Sequence, residues 1–232
     1  MHSELDQVLV IFTKVPLPGA VKTRLASVLS AEQAARLQSC FLVDEIRLAM
    51  TLPDVEVVVA FTPAHAEAQL RAILPEPVRL LPQREGDLGK RMAQTFSHLF
   101  EAGRDLVVLI GSDLPTLPSS ILAQAFAALA QADIVLGPST DGGYYLIGMR
   151  RLHATLFDGV AWGTSLVLAQ TAERIRTLGL RSASLPVWYD VDTPDDLSFL
   201  AAHLAVLEQD PKAVLPTVTF QTLEELALTG RK

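Results

Sequence analysis

Residues 106–110 read Leu-Val-Val-Leu-Ile, apolar at every position. A strand with one face in water alternates polar and apolar side chains, whereas a strand covered on both faces can be apolar throughout. Short apolar runs of this kind recur at 8–13, 55–61, 78–81, 134–137, 144–149 and 182–187. Segments of helical period separate them, at 30–50, 65–74, 88–102, 119–130, 165–178 and 194–208. Ser30 opens the first of these with Gln33 three residues on, a capping box, and Pro118 and Pro194 suit a first helical turn. Strands alternating with helices predict an α/β fold: a three-layer α/β/α sandwich on a mainly parallel central sheet, Rossmann-like in form. Half of the 232 residues are hydrophobic, enough for one sizeable core. Residues 1–208 are therefore expected as a single domain. Residues 209–232, with "DPKAVLP" and the amphipathic "TFQTLEELAL", form a C-terminal appendage that either docks or makes homo-oligomer contacts.

Several function classes are disfavoured by composition. A formal charge of −7 argues against general nucleic-acid binding, which calls for a basic face. A single cysteine, Cys40, allows no intramolecular disulfide and no cysteine-based zinc site; on a predicted helix beside Phe41 and Leu42 it belongs to the core. The histidines, His2, His65, His98, His153 and His203, never pair at ligand spacing. The opening "MHSELDQ" is unlike a signal peptide, and the greasiest region, 121–136, is interrupted by Gln124, Gln131 and Asp133. The expectation is a cytoplasmic chain with no membrane partner.

In a sheet of this kind ligands bind beyond the carboxyl ends of the strands, and the chemistry-bearing residues fall there. After the first strand comes "KVPLPGAVKTRL", 14–25, where Pro16 and Pro18 stiffen the loop and Gly19 permits close backbone approach. Its cations, Lys14, Lys22 and Arg24, suit a phosphate, although neither a Walker loop nor G-x-G-x-x-G is present. After the third strand, "GDLGKRM" holds Asp87 between Gly86 and Gly89; the stretch reads as a close-approach loop or as a helix start capped by Asp87. After the fourth, "GSDLPTL" sets Asp113 at the cleft mouth. A hard cation such as magnesium takes one or two carboxylates there, completed by phosphate oxygens and water. "GPSTDGGYYLIG", 137–148, is a turn signal; Asp141 could accept from hydroxyls and the tyrosines could stack on a sugar or base, or the stretch is a plain hairpin. Last comes "DVDTPDDL", 190–197, where Asp192 reads as a helix cap or as a second acid facing Asp113. The string is similar to the nucleophile motif of haloacid dehalogenase-like phosphatases, but that motif follows a first strand. Asp44 falls on the stripe of Leu37, Phe41 and Leu48 and is expected to meet a cation at the sheet edge.

Together these motifs resemble, in order, the nucleotide-diphospho-sugar transferase superfamily with its glycosyltransferase A-type fold. The resemblance is closest to a bacterial family labelled selenodomain-associated transferases, and it runs over residues 8–200. It implies that Gly19, Lys22 and Arg24, with Lys14 nearby, hold nucleotide phosphates, and that Gly86, Asp87 and Gly89 approach the nucleoside. It implies Asp113 and Asp192 as ligands of Mg2+ or Mn2+. Asp141, Gly142, Gly143 and Tyr144 then fall in the sugar or acceptor subsite. Trp162, read from its own residue type, either lines the acceptor side or packs. "KTRL" is closer to the loop of phospholactate guanylyltransferases than to the usual nucleotidyltransferase form, and the metal strand carries "SD" rather than a full D-x-D.

The expected function is a metal-dependent transferase that takes a nucleotide-activated donor, a nucleotide sugar in the leading reading, and a small-molecule acceptor. Asp113, Lys22 and Arg24 would stabilise the charge on the leaving group, with Asp141 the candidate base. A nucleotidyltransferase acting on a nucleoside triphosphate, or a nucleotide-binding protein without catalysis, are the other readings.

Overall fold

The computed structural model describes residues 6–75 and 77–228. The opening residues 1–5, including His2, and the end of the appendage, 229–232, lie outside the described residues. Strands β1 (Gln7–Lys14), β2 (Val55–Thr62), β3 (Arg79–Pro82), β4 (Leu106–Gly111), β5 (Ile134–Pro138), β6 (Tyr144–Met149) and β7 (Ser182–Ser184) make one sheet, in the order β3-β2-β1-β4-β6-β5-β7. All run parallel except β6, which is antiparallel to β4 and β5. The reversal occurs because β5 and β6 are joined by a tight turn at "STDGG" rather than by a crossover helix.

Alternation along β1 assigns the two faces. Leu9 and Ile11 pack on one side against Leu42 and Ile46 of α1 (Ala31–Ala49), Leu70 of α2 (Glu67–Ile73) and Phe126 of α4 (Ser119–Leu129). Val8 and Val10 pack on the other, against Phe96 and Leu99 of α3 (Leu88–Glu101) and Ile175 of α5 (Val167–Thr177). Each such side chain, removed from water, contributes ~1.5–3 kcal/mol, and burial on both faces explains why the strands are apolar at every position. The capping box at Ser30 is formed, with Gln33 donating its backbone N–H to Ser30 Oγ.

The appendage is docked. Leu223 of α7 (Thr217–Glu225) is buried with Leu37 and Phe41 of α1 and with Leu197, Leu200 and Leu204 of α6 (Pro194–Leu207). Among the described residues Asp44 meets no cation: its carboxylate accepts the N–H groups of Val218 (3.2 Å) and Thr219 (2.7 Å), capping the start of α7. Cys40 is buried, its sulfur 3.1 Å from Thr222 Oγ1. The last strand is shorter than its apolar run, ending at Ser184 because Pro186 has no N–H to donate; pairing returns as one bridge between Ser139 and Trp188. Helix α5 starts two residues later than the sequence suggests, after Thr164 Oγ1 has accepted the Leu166 N–H.

From β1 the chain moves outward to β2 and β3, then returns to β1's other side as β4. The carboxyl ends of β1 and β4 thus flank the point where the strand order reverses, and a crevice opens there.

Candidate functional site

The loop after β1 is held from below by Val15, Val21 and Leu25, all buried. Gly19 takes φ +77° with open space around its Cα, and Lys22 adopts a left-handed conformation at φ 49°. That conformation is unfavourable for a residue with a Cβ, and here it goes with a side chain turned inward. Lys22 is not a free phosphate ligand. Its side chain is 2% exposed, and its ammonium donates to Val191 O at 2.6 Å, to Asp192 Oδ1 at 3.1 Å and pairs with Asp113 Oδ1. Burial alone would lower its pKa, but Asp113 and Asp192 outweigh it and the net shift is upward.

Both acids are locked by backbone. The Val191 N–H donates to Asp113 O at 3.0 Å, which ties the end of β4 to the segment before α6. Asp192 does not cap α6; Thr193 does, in a reciprocal box with Asp196, so the Asp192 carboxylate is left for the cleft. Below Asp113, wholly buried Glu45 of α1 accepts the Leu114 N–H at 2.7 Å, and burial pushes its carboxyl well above the usual range. Gln38 donates to Ser112 O (2.8 Å) and Ser112 Oγ (3.0 Å), and Ser112 Oγ reaches Thr13 Oγ1 at 3.0 Å. The floor between β1 and β4 is thereby cross-linked.

The cleft above this floor has two halves. One, of about 410 Å3, carries the cations Lys14, Lys22, Arg24 and Arg91. The other, of about 490 Å3, carries Asp141, Asp190, Tyr144 and Trp162. Arg24, Asp113 and Asp192 line both. Arg24 is largely exposed, 3.8 Å from Asp192. Arg91 is positioned by Gln83, which accepts from it at 2.9 Å while donating to Ala60 O (2.8 Å) and Thr13 O (3.2 Å). Among the described residues no group of three or more His, Cys, Asp or Glu side chains could hold a metal. The Asp113–Asp192 pair converging on one ammonium does fit a hard cation that completes its shell with phosphate and water.

Several residues singled out by sequence have packing tasks. Asp87 is the N-cap of α3, accepting the Lys90 N–H at 2.8 Å, and Gly86 sits beside it at φ +134°. Gly89 is buried because a Cβ there would lie 2.6 Å from Trp162 Nε1. Gly142, at φ +89°, leaves no room for a Cβ against the Ser165 backbone at 2.5 Å. Asp141 Oδ1 accepts the Gly143 N–H at 2.8 Å, closing the hairpin turn. Tyr144 packs edge-on to Trp162, ring centroids 6.4 Å apart. Tyr145 covers Gly137 and donates to Pro186 O at 3.0 Å. Of the second motif it is Leu88, Arg91 and Met92 that face the cleft.

The profile of the family DUF2064, described as "Uncharacterized protein conserved in bacteria", matches residues 46–164, just over half of the chain. The chain belongs to this family. The DUF2064 chain is also similar to a Desulfovibrio desulfuricans G20 protein provisionally assigned as a nucleotide-diphospho-sugar transferase, at 32% identity over 98% of each chain with a TM-score of 0.87. The likeness therefore includes the docked tail. More distant is CMP:2-keto-3-deoxy-manno-octonic acid synthetase complexed with CTP, at 14% identity over 87% of this chain and 99% of that one, TM-score 0.56. An inositol-1-phosphate CTP transferase from T. maritima matches at 13% identity over 97% and 98%, TM-score 0.52. These two share the fold, that of the nucleotide-diphospho-sugar transferases. No curated protein is significantly similar to the chain. No helix among the described residues is long and apolar enough to cross a membrane.

Two consequences are measurable in this DUF2064 site. Gly89→Ala should push Trp162 out of its seat, costing ~1–3 kcal/mol and shifting tryptophan emission to the red; an unchanged spectrum would contradict the contact. Asp190 accepts from Ser139, and burial, then the charges of Asp113, Asp141 and Asp192, push its carboxyl up to about 7. A carboxyl raised in the fold destabilises the native state where it must ionise, fully above pH 7 and not at all near pH 4. With a chelator present, Asp190→Asn should be more stable than the parent by up to ~4 kcal/mol at pH 8, the gap closing as pH falls from 7 to 4. A gap that does not change with pH would contradict the assignment.

Proposed function

We propose that this chain is a transferase that takes a nucleotide-activated donor, a nucleotide sugar, and passes the sugar to a small-molecule acceptor, with a magnesium ion. The observation that carries this reading is the divided cleft at the β1/β4 reversal: cations on one side, carboxylates and aromatic rings on the other, Asp113 and Asp192 between them. The likeness to the D. desulfuricans protein adds support.

In this reading Lys14, Arg24 and Arg91 neutralise the donor's phosphates and fix their orientation. The nucleoside lies over the loop that carries Leu88. Asp113 and Asp192 would hold the magnesium, which when bound supplies positive charge to the phosphate oxygens of the leaving group. Asp141 keeps one carboxylate oxygen for an acceptor hydroxyl, the other being engaged by Gly143. Asp190, steadied by Ser139, faces the same half. Trp162 and Tyr144 offer apolar ring surface to the C–H face of a sugar and keep water from it. Asp141 and Asp190 also disfavour an acceptor that carries a phosphate, which is why glycosyl transfer is preferred to coupling of a phosphorylated acceptor.

Incubation with a panel of nucleotide sugars and nucleoside triphosphates, with candidate acceptors and Mg2+, tests the reading by its leaving group. Nucleoside diphosphate released from a nucleotide sugar is the expected product. Pyrophosphate released from a triphosphate would replace the reading with nucleotidyl transfer. Binding without release of either would leave a nucleotide-binding protein.

A further inference from the structure

The two carboxylates proposed to hold a divalent ion already hold a cation, the ammonium of Lys22. It is enclosed: the side chain is 2% exposed, and the ring of Phe41 lies 5.4 Å from Nζ on the protein side. The ammonium donates to Val191 O and Asp192 Oδ1 and is in ion-pair contact with Asp113 Oδ1. In this arrangement the ammonium is committed to these three oxygens rather than to a phosphate. Its partners, by contrast, are 33% and 45% exposed, so a solvated ion can reach them from the cleft. Lys22 lines the same half of the cleft as Lys14, Arg24 and Arg91.

We propose that Lys22 and a divalent metal ion are alternative occupants of the Asp113–Asp192 pair, and that metal entry releases the Lys22 ammonium to the donor's phosphates. The inference rests on reading the cationic half as the phosphate side. A divalent ion and an ammonium held by the same two carboxylates would repel at contact distance, so one leaves when the other enters. An ammonium expelled with no new partner remains a buried unpaired charge, which is strongly unfavourable. Metal alone therefore binds weakly. A phosphate in the cationic half gives the expelled ammonium an acceptor, so donor and metal strengthen each other's binding, and by linkage the effect is reciprocal. The left-handed backbone at Lys22 fits such a role, since strained conformations persist where the surroundings fix them. The lysine thus acts as a resident counterion that keeps the acid pair closed until a donor arrives.

The test is Mn2+ binding to the full chain without nucleotide, read from loss of the free-ion paramagnetic resonance signal. Lys22→Met should bind Mn2+ ~10-fold or more tightly than the parent, and adding Asp113→Asn to that variant should remove the gain. Equal affinities in parent and Lys22→Met, or no binding by Lys22→Met, would overturn the exchange. If Lys22→Met does not fold, nitrogen-15 spectra of the lysine ammonium groups test the parent itself. The Lys22 signal, protected from solvent in the metal-free protein, should move or vanish as Mg2+ saturates the site; a signal unchanged under saturating Mg2+ overturns the exchange. Stabilisation by nucleotides is measured in parallel. Its absence would remove the donor reading while leaving the metal affinities to decide the exchange.

Discussion

Asp113→Ala is expected to lower transfer by ~10²–10³-fold while leaving the fold in place. The side chain stands just past the end of β4, at the boundary of the two halves of the cleft, where in the proposed reaction charge on the leaving group would be balanced. Its loss leaves Lys22 with two acceptors, Val191 O and Asp192, so no buried cation is orphaned. The backbone bond from Val191 N–H to the carbonyl of residue 113 does not depend on the side chain. The variant should therefore show an unchanged circular dichroism spectrum and a melting temperature within a few degrees of the parent. Glu45 and Gln38, which hold the surrounding turn, remain in place. Transfer at the parental rate would mean that the chemistry does not pass this carboxylate.

Phe41→Ala carries the largest expected effect on stability, a loss of ~3–5 kcal/mol. Phe41 is fully buried where α1 meets α6 and α7, within the cluster formed by Leu37, Leu200, Leu204 and Leu223. Truncation there removes a ring that no neighbour can replace. At ~2–4 °C per kcal/mol for a chain of this length, the melting temperature should fall by ~6–20 °C. The same ring backs the Lys22 ammonium at 5.4 Å, so the cavity opens beneath the acid pair as well. A fall of only a degree or two would show that the tail is not fastened to the domain as described.

The fold was legible because the apolar runs are short, continuous and separated by helical segments, which leaves a doubly covered sheet as the economical solution. The strand-end rule then located the cleft, and Arg24, Asp113, Asp141, Trp162 and Asp192 do line it. What sequence did not disclose was the direction of side chains. Lys22 reads as one of several surface cations, and only its left-handed backbone accompanies the turn inward. Asp44 and Glu45 are neighbours on one helix, yet the first caps α7 and the second supports the turn after Asp113. Asp190 gave a signal, an acid two residues before Asp192, but its bond to Ser139 depends on a contact between distant segments. Gly89 reads as a glycine for close approach of a ligand and Gly142 as part of a turn; the structure shows protein against both, Trp162 at Gly89 and the Ser165 backbone at Gly142. Arg91 was hidden because its link to Gln83 joins a helix to a strand end.

The central claim is that the cationic half of the cleft holds a nucleotide's phosphates. Its most direct test is thermal stability of the parent, Arg91→Ala and Asp113→Ala against nucleoside diphosphates, triphosphates and nucleotide sugars with Mg2+. A ligand at 100 times its dissociation constant adds ~2.7 kcal/mol, or ~5–11 °C at this chain length. The account predicts a shift of that size for at least one nucleotide series in the parent, reduced in both variants. No shift with any nucleotide, or one that both variants retain in full, would contradict it.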